Sequence, residues 1–329
     1  MLPKTLCMGL VPLLALTACS DDDTNPAGTA SLSVLVEAED TITEGLDPGT
    51  EGENITDGWQ ARFGNYIVAI GGIDVHLSTD ETVEVEAPEK YVLDLVTVPA
   101  SGLALWQLDG LQEGRWEFNY ETAADGATRH ESVEQADFDA VIAGDWTYLI
   151  RGTLTKSDGV SCPPAAQAMV PMGTMATGMN DAGDPCYANP TISFEIGAEA
   201  ETAFGPCEID EQPGFSVAAG STQSVAMTIH GDHLFFNGFP EGDEGGVTRL
   251  AQWMADCDLD LDGVVTEAEL AALSPSDLAE LDDRFQLGGS PITPLDTMWT
   301  YVRAQLKTQG HFQGEGECPV DGVAHEHED

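Results

Sequence analysis

The strongest constraint on the fold is a run of strand-like segments with no long helical pattern between them. Residues 32–37, 66–77, 91–98, 115–122, 146–155, 191–198 and 224–236 are each rich in β-branched or aromatic residues. Clusters such as Asp47-Pro48-Gly49 and Asp125-Gly126 separate them. Branched and aromatic side chains fit a pleated, half-buried surface, and Gly, Pro, Asp and Asn turn a chain. Trp116, Phe118 and Tyr120 alternate with Glu117 and Asn119, so one face of that segment meets a core and the other meets water. These features predict a mainly β fold with an antiparallel β-sandwich over residues 31–240. The six tryptophans, among them Trp59, Trp116 and Trp253, are read as core rather than as a sugar platform.

Past residue 240 the period changes. Val247, Leu250, Ala251 and Met254 fall at helical spacing, and Leu295, Met298, Trp299, Val302 and Leu306 repeat it after Thr293-Pro294, a cap followed by a first-turn proline. Residues 241–308 are therefore expected to form short helices, at 247–256, 266–273, 275–285 and after Pro294. Residues 309–329 form a return segment and an acidic tail with His325 and His327.

Between the first two of these helices lies Asp258-Leu259-Asp260-Leu261-Asp262-Gly263-Val264-Val265-Thr266-Glu267-Ala268-Glu269. Acidic side chains at loop positions 1, 3, 5 and 12, with glycine at 6, supply hard oxygens around a bend that tolerates positive φ. The stretch resembles an EF-hand. The resemblance implies Ca²⁺ held by Asp258, Asp260 and Asp262, by the Val264 carbonyl, by Thr266 directly or through water, and by Glu269 as the closing bidentate ligand. It also implies that Val265 makes a small β contact with a partner loop. No second loop of this kind occurs in the sequence, so Val265 is expected to meet the sandwich or a second molecule.

The amino terminus reads as an export signal. Lys4 precedes an apolar run through Leu16, and Leu16-Thr17-Ala18-Cys19 resembles a bacterial lipobox. That resemblance implies removal of residues 1–18, lipidation of Cys19, a flexible acidic tether over 19–30, and a lipoprotein of the cell envelope, with an outer-membrane address. An oxidising compartment would pair Cys162 with Cys186 across one Pro-, Gly- and Met-rich loop, and Cys207 with Cys318. Cys257 is then the odd thiol.

Two further groups point to metals. His230-Gly231-Asp232-His233 ends the last strand-like segment and His311 follows the helical excursion. An excursion that leaves and rejoins one domain brings its ends together, so His230, His233 and His311, with Glu315 or Glu317, are candidate ligands for Zn²⁺ or Cu²⁺. On a strand, residues three apart face opposite ways, so this site requires Gly231 to bend the chain. Met169, Met172, Met175 and Met179 are thioethers that would suit Cu(I).

Charge and motifs exclude other classes. Lys and Arg number 11 against 58 Asp and Glu, a net charge of −47, which repels nucleic acid and favours divalent cations. The chain has no Gly-x-Ser-x-Gly elbow and no phosphate loop, and His130-Glu131-Ser132-Val133-Glu134 lacks the second histidine of a zinc-protease helix. The sequence thus reads as an exported, lipid-anchored calcium-binding protein that acts by binding. The alternative is a copper- or zinc-handling envelope protein.

Overall fold

The computed structural model describes residues 29–239, 247–278 and 288–320. The signal segment, Cys19, most of the tether, most of the helix expected at 275–285, and the histidines of the tail lie outside the described residues. Among those described, no helix is long and apolar enough to cross a membrane.

The protein is mainly β. Its longer strands are β1 (Ala30–Ala38), β2 (Gln60–Leu77), β3 (Asp80–Asp94), β4 (Leu103–Leu111), β5 (Gly114–Thr122), β6 (Tyr148–Thr155), β7 (Thr191–Ala198) and β8 (Thr222–Ile229), with a short β9 (Gly310–Phe312). One sheet has the order β9-β8-β1-β4. The other is built round the long β2, which pairs antiparallel with β3, β5 and β6, while β7 extends it beyond β6. Alternation decides what is buried: Leu32, Val34 and Val36 of β1 share one apolar core with Tyr66, Val68 and Ile70 of β2. Each such side chain contributes about 1.5–3 kcal/mol on burial.

Several expectations are corrected. Pairing is not antiparallel throughout, because β1 and β8 run parallel from Ser31–Thr222 to Ala38–Ile229. The two strands come from opposite ends of the domain, so no hairpin dictates their direction. Residues 103–111 form a further strand, beyond the seven expected. The strand expected at 224–236 stops at Ile229 and gives way to a 3₁₀ turn, Asp232–Phe235. A helix unforeseen in the sequence, α2 (Gln135–Gly144), follows a four-residue α1 (Asp40–Thr43) in chain order. It covers a second cluster in which Ile67 and Ala69, the outward residues of β2, meet Val92, Val141 and Leu149.

The helical excursion is shorter than its apolar spacing suggests. The segment expected as a helix from 247 forms α3 only over Gln252–Asp256, because residues 248–250 are drawn into pairing with the 3₁₀ turn. Asn237 N–H donates to Thr248 O at 2.9 Å and Leu250 N–H donates to Phe235 O at 2.7 Å. After it come α4 (Glu267–Ala272), a 3₁₀ turn at Pro275–Asp277, and α5 (Met298–Leu306). Helix α5 is capped by Thr297 rather than at Thr293. Cys162–Cys186 and Cys207–Cys318 form disulfides, as expected, and Cys257 is a buried free thiol.

Candidate metal centre

The three junction histidines converge. Strand β9 pairs antiparallel with the end of β8, Thr228 opposite His311 and Ile229 opposite Gly310. His230 thus follows the last paired residue of β8 while His311 sits beside it on the neighbouring strand. The chain then bends at Gly231, whose missing side chain is a packing requirement, since a Cβ there would lie 2.6 Å from Ile42 Cγ1. The bend starts the 3₁₀ turn and returns His233 to the same place. One ring nitrogen from each of His230, His233 and His311 lies within 4.8 Å of the others. The rings of His230 and His311 stack with centroids 3.9 Å apart, and His233 meets His311 edge-on at 5.2 Å.

Each ring is oriented by its second nitrogen or by a neighbour. Thr308 Oγ1 donates to Gln305 O at 2.8 Å, so at 2.9 Å it accepts from Nδ1–H of His233, which leaves the lone pair on Nε2. His230 Nε2–H donates to Gly314 O at 3.1 Å, which leaves the lone pair on Nδ1. His311 is held near the Gly316 backbone, and its Nδ1 is buried with no hydrogen-bond partner. Oxygen acceptors behind imidazoles fix tautomer and ring direction in metal sites. Burial, and then the neighbouring imidazoles, push the pKa of His311 well down. Burial, followed by His233, also lowers that of His230. Both are therefore neutral at pH 7, the form that ligates.

Carboxylates surround the histidines on one side. Glu39 Oε2 lies 3.6 Å from His230 Nδ1 and accepts from Thr41 Oγ1 at 2.6 Å. Burial, followed by repulsion from Asp232, raises the Glu39 pKa to about 9. Asp232 is fully buried, ion-paired with Arg249 through Oδ2, while its Oδ1 has no hydrogen-bond partner. Neither Glu39 nor Arg249 was legible as part of this site. Glu39 lies 191 residues before His230 and Arg249 lies 16 after His233, and neither belongs to a spacing or motif that ties it to the histidines.

The acidic loop forms a separate group. Carboxylate oxygens of Asp258, Asp260 and Asp262 lie within 4.8 Å of one another. Asp258 is fully buried; its Oδ2 accepts from Asn189 Nδ2 at 2.7 Å and from Gly263 N–H at 3.0 Å, and its Oδ1 has no hydrogen-bond partner. Burial raises its pKa to about 6. Gly263 has φ +83°, the conformation its position requires. Glu269 points back into the loop: Oε1 accepts from Leu259 N–H and Oε2 from Thr266 N–H, both at 2.9 Å. The carboxylate therefore completes a capping box with Thr266 and lies outside the three-aspartate group. Val264 and Val265 pair in parallel with Ser193 and Phe194 of β7. Val265 thus meets the edge of the sheet.

The methionines lie on a loop that touches the acidic loop through its backbone. Met169, Met172, Met175 and Met179 are exposed, on a loop closed by Cys162–Cys186 whose backbone meets the acidic loop through Met169 N–H and Leu259 O at 2.7 Å.

Fold and site together define a mainly β protein with a three-histidine cluster at the junction of a helical excursion. No family model and no curated protein matches the chain. Among solved structures, MbnP from Methylosinus trichosporium is similar at 8% identity over 63% of this chain and 76% of its own, with a TM-score of 0.23. A likeness that slight says nothing of ligand or activity, and the chemistry of the site is argued from its own residues.

Proposed function

We propose that this protein binds a transition metal ion, Cu²⁺ or Zn²⁺, through His230, His233 and His311, and that it acts by binding. The observation that carries the proposal is the convergence of three imidazoles whose other contacts orient them, with a buried, unpartnered nitrogen on His311. Imidazole suits those ions, whereas calcium prefers oxygen. A purely structural cluster would be expected to satisfy its buried ring nitrogens with protein acceptors or donors. Equilibrium dialysis of the metal-free protein against Zn²⁺ tests this. One tightly held ion per chain, lost in both His311→Ala and His233→Ala, is the expected result; uptake by His311→Ala equal to the parent would overturn it.

A second cation is supported by a different observation, the buried and unpartnered Oδ1 of Asp258 among three converging carboxylates. We infer that Ca²⁺ occupies this loop as a structural ion, with Asp258, Asp260 and Asp262 as ligands and with the Val264 carbonyl and Thr266 available to it. Glu269 can join only by giving up backbone hydrogen bonds. The disulfides favour an oxidising compartment, and the lipobox-like residues ending at Cys19 favour a lipid anchor in the cell envelope.

A further inference from the structure

In the three-histidine cluster His230 and His233 are withdrawn from water, at 2% and 1% exposed, and His311 is half-buried. A second ligand set touches it on the side facing solvent. Ligand atoms of Glu39, His230 and Glu315 lie within 4.8 Å of one another, so His230 belongs to both sets. Exposure is graded along this set: Glu315 is exposed, the Glu39 side chain is 12% exposed, and the His230 side chain is 3% exposed. Glu53, also exposed, hydrogen-bonds Glu39 and extends the acidic mouth, while the Arg249 guanidinium beside it is engaged by Asp232. The turn that carries Glu315 is held against the centre from both sides, by His230 Nε2–H on Gly314 O and by Gly314 N–H on Thr228 Oγ1 at 2.9 Å.

We propose that Glu39, Glu315 and His230 form an outer position through which a divalent cation enters and leaves the three-histidine centre. The proposal rests on the reading that this centre binds a metal. The chemistry is an exchange of hard for softer ligands: Glu315 captures a hydrated ion, Glu39 releases its proton to water as it joins, and His230 keeps hold of the ion while His233 and His311 replace the carboxylates. At no stage does the ion cross an apolar wall without ligands, which would cost far more than either bound state.

Stopped-flow loading of Co²⁺, followed by the visible absorption of the imidazole-bound ion, tests this on the whole mature protein. Release is followed after mixing with excess chelator. A staging position lowers the barrier in both directions. Glu315→Gln is therefore expected to slow loading and release alike, by about tenfold for the loss of one charge a few ångströms from the ion, and to leave equilibrium affinity nearly unchanged. Glu39→Gln, which exchanges an acidic ligand oxygen for an amide, should also slow both rates. Unchanged rates would overturn the proposal. So would slower loading with release untouched, which is the mark of long-range attraction alone, or faster release with weaker affinity, the mark of a permanent ligand. If Glu39→Gln fails to fold, Glu315→Gln, at an exposed turn, decides alone. A His311→Ala protein that keeps the full absorption would refute the three-histidine centre itself, and with it the proposal that the outer position feeds that centre.

Discussion

Asp258 carries the sharpest conflict at the scale of single residues. Its carboxylate has two donors, Asn189 and Gly263, yet burial still raises its pKa to about 6. A raised carboxyl contributes stability that is fully present below the unfolded value, 3.8, and lost as pH rises through about 6. With calcium chelated, stability should therefore fall as pH rises from about 4 to about 6. Asp258→Asn should flatten that step and raise stability at neutral pH by about 1–2 kcal/mol, while abolishing any rise in melting temperature on adding calcium. Chemical denaturation with and without chelator measures both. If Asp258→Asn destabilises the chelated protein, the carboxylate is an anchor for its two donors and nothing more. Gly231 is the second sensitive position. A Cβ there meets Ile42, so Gly231→Ala should cost about 1–3 kcal/mol and loosen metal uptake with it, because the same bend aims His233. Unchanged unfolding with unchanged uptake would show that the turn yields freely.

The elements show what the sequence reveals and where it stops. Strands with strict alternation or dense branched residues were legible: β5, β6 and β7 lie close to their expected places, and Cys162–Cys186 closes the loop its two cysteines bracket, while Cys207–Cys318 is the remaining expected pair. The three histidines were legible as a group because an excursion must rejoin its domain, and Gly231 was legible as the bend they need. The parallel β1–β8 pair was not, since direction between distant strands is settled by tertiary packing and leaves no local trace. Nor was the loss of helix before Gln252: Val247, Leu250 and Ala251 keep helical spacing, but backbone pairing with the 3₁₀ turn outweighs that weak preference. The acidic loop depends on an element as well. Val265 is 1% exposed and lies against β7, whereas Val264 is 40% exposed. Val265→Ala should lower stability by about 1–3 kcal/mol and weaken calcium binding, and Val264→Ala should do little to either. Equal effects from the two would mean that the loop does not depend on the sheet edge.

For the whole molecule the dominant quantity is charge. At −47 the chain repels itself in the folded state, and the Debye length falls from about 30 Å at ~0.01 M salt to about 3 Å at ~1 M. Melting temperature should rise across that range of NaCl even with calcium chelated. A flat or falling curve would show that the carboxylates are too dispersed to matter. The same acidity concentrates divalent cations near the surface, while selection among them falls to the ligand atoms within, imidazole nitrogen in one place and carboxylate oxygen in the other. The ligand shell of the bound transition metal is therefore the most direct test of the account. X-ray absorption on the protein loaded with one Zn²⁺ should show nitrogen or oxygen at about 2.0–2.1 Å with the outer-ring scattering of three imidazoles, and no sulfur at about 2.3 Å. A sulfur shell would move the site to the methionine loop or Cys257, and a shell of oxygen without imidazole would contradict the three-histidine centre outright.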